Sequence, residues 1–333
     1  MSYKRLDPED IVISDESVTS PSWTGNIVTL DTFFTSSTQA ASTSGDYYLD
    51  VYQTGSTDDS AAVQFSLVYA DKDGSGSVDL TSGVTGKSPS AISYGQYKAL
   101  ILSDKTATSQ FTFGSVDTPY FYAINLERSR FKEKLLPGTF ELKLTTGAGT
   151  ITLKDNSTSV VTDTFTDAGR VYTVVSSSGA DPSCVNQSGS YGSFYPDIGV
   201  ILLNGQVMDA TFADGGLLFG ATRTANTDTS GSQLLFDAIK SGASFKLNSE
   251  ETLSSNFVFV RARNSEFNYS QNPTILTGSG DLKYDVLVDT PRTYVTTVGL
   301  YNDTNDLLAV AKLSRPLLKN FTKEALIRVK LNY

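Results

Sequence analysis

The chain has 333 residues, with 26 Lys+Arg against 36 Asp+Glu, a formal net charge of −10, one Cys and no His. Without histidine there is no Ser-His-Asp or Cys-His triad, no imidazole base and no imidazole metal ligand, and Cys184 alone makes neither an intrachain disulfide nor a thiolate zinc site. The acidic balance argues against a protein that coats nucleic acid, and no apolar run approaches the roughly 20 residues of a membrane helix.

Ser and Thr are abundant and aromatic residues make up 11% of the chain. This composition belongs to strands and turns. It predicts a mainly β protein: antiparallel β-sandwich-like domains with long loops and one or two short helices. The opening residues contain no apolar stretch and read as lacking a secretory signal. Residues 1–30 read as an extended arm with no stable period of its own, so that Trp23, the only tryptophan, either packs on its own domain or docks on a neighbouring subunit. A Ser/Thr/Ala-rich loop follows at 36–44. Period-2 apolar alternation then predicts strands over 46–52, 61–70, 97–103, 110–114 and 119–126.

A short helix is expected over 127–136, a turn at Pro137-Gly138, and strands over 139–145, 150–154 and 170–176. Ser230 and Gln233 have capping-box spacing ahead of an apolar face (Leu234, Leu235, Ala238, Ile239), which predicts a helix over 233–241 that stops at Gly242. A strand is expected over 256–263, with Arg261 and Arg263 pairing with carboxylates. Strands over 293–301 and 307–313 flank the turn 302–306 as a hairpin, and the strictly alternating residues 326–333 form a last strand tied into a sheet. The expected division is an arm at 1–30, a β domain at 31–176, a loop-rich region with a short helix at 177–255, and a C-terminal β segment completing a sheet at 256–333.

Asp71, Asp73, Ser75 and Asp79 fall at positions 1, 3, 5 and 9 of a calcium loop, where oxygens at that spacing can wrap a hard cation. Position 12 is Ser82 instead of a bidentate Glu, so a calcium ion here would be weakly held, and an Asp/Gly/Ser loop between strands is the favoured reading. No other cofactor is expected. Residues 83–88 end like a phosphate-binding loop but lack its first glycine, and Pro89 looks misplaced in the helix that such a loop must open, so nucleotide binding is rejected. Arg128, Arg130 and Lys132 lie in the one basic cluster, with Lys134. In an acidic chain they read as a solvated face or a contact for an acidic protein partner. Glu250-Glu251 and the pair Asp46 and Asp50 are anonymous candidates for a carboxylate glycosidase.

Several stretches resemble virion structural proteins of T4-like contractile-tailed phages, particularly those infecting cyanobacteria and other marine bacteria. They are residues 3–12 (YKRLDPEDIV), 19–23 (TSPSW), 126–138 (LERSRFKEKLLPG), 195–205 (YPDIGVILLNG), and the hairpin 294–303 with 307–313 (YVTTVGLYND, LLAVAKL). The resemblance implies a non-enzymatic assembly protein of the baseplate or tail. It would be made in the bacterial host cytoplasm and built into the virion, with other virion proteins and copies of itself as partners and neither nucleic acid nor membrane among them. Trp23, Arg128, Arg130 and Lys132 are its candidate interface residues. A neck- or capsid-associated protein and a receptor- or glycan-binding adhesin are the alternatives.

Overall fold

The structure is a computed structural model that describes residues 3–35, 48–75, 88–102, 106, 109–114, 116–159, 164–177, 190–219, 231–270 and 272–332. Strand accounts for 47% and helix for 16%, so the chain is mainly β, with large antiparallel sheets. Four short helices are described, two more than the upper expectation. The chain divides into two compact units, residues 18–251 and residues 1–17 with 252–333. The expected boundaries were 30, 176 and 255; strands from both sides of residue 176 enter one sheet.

In chain order the strands are β1 (Ile11–Pro21), β2 (Thr29–Leu30), β3 (Phe34–Thr35), β4 (Leu49–Tyr52) and β5 (Val63–Asp71), followed by helix α1 (Pro89–Ile101). Next come β6 (Phe111–Phe113), β7 (Val116–Thr118), β8 (Tyr120–Leu126), β9 (Lys134–Leu135), β10 (Glu141–Thr145), β11 (Thr150–Asp155), β12 (Thr164–Thr166) and β13 (Gly169–Ser176). After β14 (Gly192–Tyr195) and β15 (Val200–Asn204) lie helices α2 (Gly205–Asp209) and α3 (Gly231–Gly242), then β16 (Phe245–Lys246) and β17 (Asn248–Ala262). The described chain ends with helix α4 (Val286–Asp289), β18 (Arg292–Tyr301), β19 (Leu307–Asn320) and β20 (Ala325–Asn332).

In the larger unit an antiparallel sheet runs β2-β16-β10-β11-β13-β14-β15-β8-β5-β4-β3. Its central strands are buried on both faces, which is why Tyr120–Leu126 and Val200–Asn204 read as nearly continuous apolar runs. Tyr120, Tyr122 and Ile124 of β8 point into one core with Ile201 and Leu203, while Phe121 and Ala123 point into a second core with Leu202. Helix α3 supplies Leu235, Phe236 and Ile239 to the first core, and α1 covers the second with Tyr94, Tyr97 and Ile101. The sheet folds over on itself. Phe245 of β16 and Phe65 of β5 are seven steps apart in strand order, yet their rings lie 5.4 Å from each other.

Trp23 fills that junction at 2% exposure, with ring centroids 4.8 Å from Phe245 and 6.1 Å from Phe65 and its indole N–H donating to the Phe245 carbonyl at 2.9 Å. Of the two readings offered for Trp23, packing on its own domain is the one found, so its burial argues against the interface role; residues 11–21 form a strand where an arm without a period was expected.

Three local expectations also change. Residues 97–103 were expected as a strand, but 89–101 are helical because Ser90, Ser93, Tyr94, Tyr97 and Ile101 form one buried helical face. Pro89 opens that helix at its first position, where a missing N–H costs nothing. The expected helix at 127–136 is a single 3-10 turn, Arg128–Arg130, followed by β9. Helix α3 forms as expected, with the left-handed residue at its end being Ala243 (φ 48°). Gly242 is required for a different reason: a Cβ there would overlap the Lys143 carbonyl.

In the smaller unit β17 pairs with β20 from Ser255↔Asn332 to Ala262↔Ala325, and β18 pairs with β19 as a separate two-stranded sheet. The expected terminal strand and hairpin are both present.

Trp23→Ala is expected to destabilise the larger unit by about 3–5 kcal/mol, the usual range for emptying a large buried aromatic site. Urea unfolding followed by far-UV circular dichroism checks this, and an unchanged midpoint would contradict the role given to Trp23.

Candidate functional site

The calcium-like loop begins where β5 ends. Asp71 is fully buried and its Oδ1 accepts the backbone N–H groups of Asp73 (2.8 Å) and Ser75 (3.4 Å), which closes the turn around Gly74 (φ 84°). The carbonyls of Gly74 and Ser75 accept the hydroxyls of Ser88 (2.5 Å) and Ser90 (2.8 Å), which fasten the loop to the start of α1. In the described half of the loop these oxygens hold a turn together. Asp79 and Ser82 lie outside the described residues, and no group of three or more metal-binding side chains occurs among the described ones.

The basic cluster is engaged within the larger unit. Arg128 donates to the Phe131 carbonyl at 2.6 Å and its guanidinium lies 4.6 Å from the Phe131 ring centre. Arg130 donates to the Thr24 hydroxyl, Lys132 pairs with Glu251 at 3.1 Å, and Lys134 pairs with Glu250 at 3.7 Å. The same bridges occupy the two glutamates that the sequence offers as glycosidase carboxylates. Asp50 accepts from Ser66 at 2.6 Å, and Asp46 lies outside the described residues.

One titratable group stands out that carries no sequence signal. Asp209 closes α2, whose start is capped by Asn204 accepting from the Gln206 N–H at 3.0 Å. Its Oδ2 accepts the Tyr120 hydroxyl at 2.6 Å, and its Oδ1 is buried with no hydrogen-bond partner among the described residues. Gly205 lets the Tyr120 ring lie against the helix, since a Cβ there would overlap that ring. Burial pushes the Asp209 carboxyl up to about 6, against the lowering effect of the Tyr120 hydrogen bond.

The more extensive feature is the surface of the smaller unit. Among the described residues, both hydrophobic cores belong to the larger unit, and in the smaller one the buried apolar residues are Val258, Ala262, Ala325 and Val329. Large apolar side chains are instead exposed on β1 (Ile11, Ile13), α4 (Val286, Val288) and the β18–β19 hairpin, where Leu308 is 68% exposed. Polar contacts organise this unit. Lys319 is fully buried, and its ammonium donates to the carbonyls of Asn264 (3.0 Å) and Asn320 (3.1 Å) and to the Asn268 side chain (2.8 Å). Burial lowers its pKa, with Glu266 and Glu324 acting in the opposite direction.

Arg261 pairs with Glu324 at 2.9 Å, as its strand position suggested. At the hairpin tip, Asn302 Oδ1 accepts the Asp306 N–H at 2.7 Å and the Thr304 N–H at 3.1 Å, while Thr304 Oγ1 donates to Asp306 at 2.6 Å. The unit carries 12 Lys+Arg and 12 Asp+Glu, so the net charge of −10 resides on the larger unit, which has 14 against 24. Comparison with protein-family models, curated proteins and solved structures finds no match to this chain.

The Asp209 environment sets a pH dependence. The fold retains the Asp209 proton up to about pH 6, whereas an unfolded aspartate releases it near 3.8. The contribution of Asp209 to stability therefore falls as pH rises through that window and is constant above it. Asp209→Asn keeps the acceptor for Tyr120 and removes the charge, so it should stabilise the protein by on the order of 2–3 kcal/mol at pH 7–8 and leave it nearly unchanged below pH 4. Melting curves across pH 3–8 check this, and a mutant-minus-wild-type difference that does not change with pH would refute it.

Proposed function

We propose that this chain is a non-enzymatic structural component of a tailed-phage virion, an assembly protein of the baseplate or tail that acts by docking to neighbouring subunits. The observation that carries the proposal is the smaller unit: about a hundred residues in which the long hairpin, β1 and α4 expose their apolar side chains and no hydrophobic core of the unit's own absorbs them. A two-stranded ribbon in water is marginal by itself, and contiguous exposed apolar surface marks an interaction site. The resemblance of residues 3–12, 195–205 and 294–313 to phage virion proteins supplies the setting in which that surface is covered. In this role the larger unit is a stable acidic body, made in the bacterial host cytoplasm, and the smaller unit is completed on assembly with other virion proteins and copies of itself.

Immunogold electron microscopy of purified particles of the encoding phage, with antibody to this chain, tests the proposal. Gold at the distal tail is the expected result. A particle digest free of its peptides, together with unlabelled particles whose epitopes are shown to be accessible, would overturn it.

A further inference from the structure

The two edges of the β18–β19 ribbon differ. β19 carries Lys312, Arg315, Pro316 and Lys319, and its register is broken where residues 313–316 stand against Thr296 alone. Charge, proline and a bulge are the devices by which an edge is kept from pairing. β18 has none of them from Thr293 to Tyr301, a run rich in β-branched and aromatic residues, and no described strand pairs with its outer edge.

Between its two register shifts β18 is paired regularly with β19, from Thr297↔Lys312 to Leu300↔Ala309; the second shift leaves Leu308 of β19 without a partner before Tyr301↔Leu307. In Thr297-Val298-Gly299-Leu300-Tyr301 the alternation of exposed and half-buried positions is the same in both directions around Gly299. Thr297, Gly299 and Tyr301 form its exposed face, and Val298 and Leu300 its half-buried face. A strand with that symmetry is complementary to itself when two copies meet antiparallel about a two-fold axis.

We infer that the outer edge of β18 pairs with β18 of a second copy of this chain, Gly299 against Gly299, and converts two ribbons into one four-stranded antiparallel sheet. In this register Val298 of each copy lies opposite Leu300 of the other on one face, and Thr297 opposite Tyr301 on the other face, pairs of the kind that stabilise sheets. Gly299 at the axis leaves room for the Tyr301 ring, which a Cβ at position 299 would meet at 2.9 Å. The unit that carries this edge is neutral, with 12 charges of each sign, so it adds no like-charge repulsion of its own when two copies meet edge to edge, and it offers no net charge to select an oppositely charged partner. This pairing rests on the assembly role proposed above and specifies one partner in it.

Sedimentation analysis of the full chain over a range of concentrations tests the pairing, using wild type, Gly299→Lys and Gly299→Glu. Wild type is expected to show a monomer–dimer equilibrium. Either variant alone places two like charges face to face at the axis and should weaken the dimer at least tenfold. An equimolar mixture of the two should restore it as a heterodimer, which also shows that both variants are folded. Leu326→Lys, at an exposed site on β20, should leave the dimer unchanged. A wild type that stays monomeric at every concentration, a Gly299→Lys protein that dimerises like wild type, or a mixture that associates no better than its components would each overturn the pairing. A dimer from a chain that is missing from the virion would refute the virion role and leave the pairing intact.

Discussion

The contact of Trp23 with Phe65 and Phe245 holds the larger unit closed. An antiparallel sheet of this length has two ends to account for, and here β16, second from one end, and β5, third from the other, are brought together over a shared aromatic core. Once the sheet is folded over, β8 and β15 lie in its middle with both faces covered, and that fixes their unbroken apolar sequences. Helix packing on the sheet demands close approaches, which explains glycine at 205 beside the Tyr120 ring and at 242 beside the Lys143 carbonyl. It also leaves Asp209 in a place where ionisation is costly, because α2 is carried into the core by Val207 and Met208 while its last residue follows.

The smaller unit is built on other physics. A buried lysine with three oxygen partners, surface ion pairs and an Asx-type hairpin tip set its chain path. Such contacts define geometry but stabilise little, since exposed ion pairs contribute about 0–1 kcal/mol each. Burial of a Leu, Val or Tyr side chain is worth roughly 1.5–3 kcal/mol, and here most of that remains unrealised. A protein whose function is to join others can keep apolar surface in reserve in this way. The neutral charge of the unit and the unguarded edge of β18 fit the proposed docking role, whereas the net negative charge of the chain lies on the larger unit.

Strands with strong alternation or continuous apolar runs were legible in the sequence, and so were α3, the hairpin and the last strand, because each has a local period and a local stop signal. Residues 89–101 were not, since Tyr97, Ala99 and Ile101 satisfy a strand period as well as Tyr94, Tyr97 and Ile101 satisfy a helical one. Local pattern does not decide between them; packing against Phe121 does. The place of Trp23 was also hidden, because its partners Phe65 and Phe245 lie 42 and 222 residues away in the chain. The order of strands in the large sheet was hidden for the same reason, being a tertiary fact. The raised Asp209 carboxyl has no motif because burial, not a neighbouring residue type, produces it.

Amide hydrogen exchange measured over a wide range of protein concentration tests most directly the claim that the smaller unit is completed by association. The account predicts that β18 and β19 amides exchange rapidly in dilute solution and gain protection as concentration rises, while those of β8 and β15 stay protected throughout. Protection of the hairpin that is already strong in dilute solution and independent of concentration would contradict it.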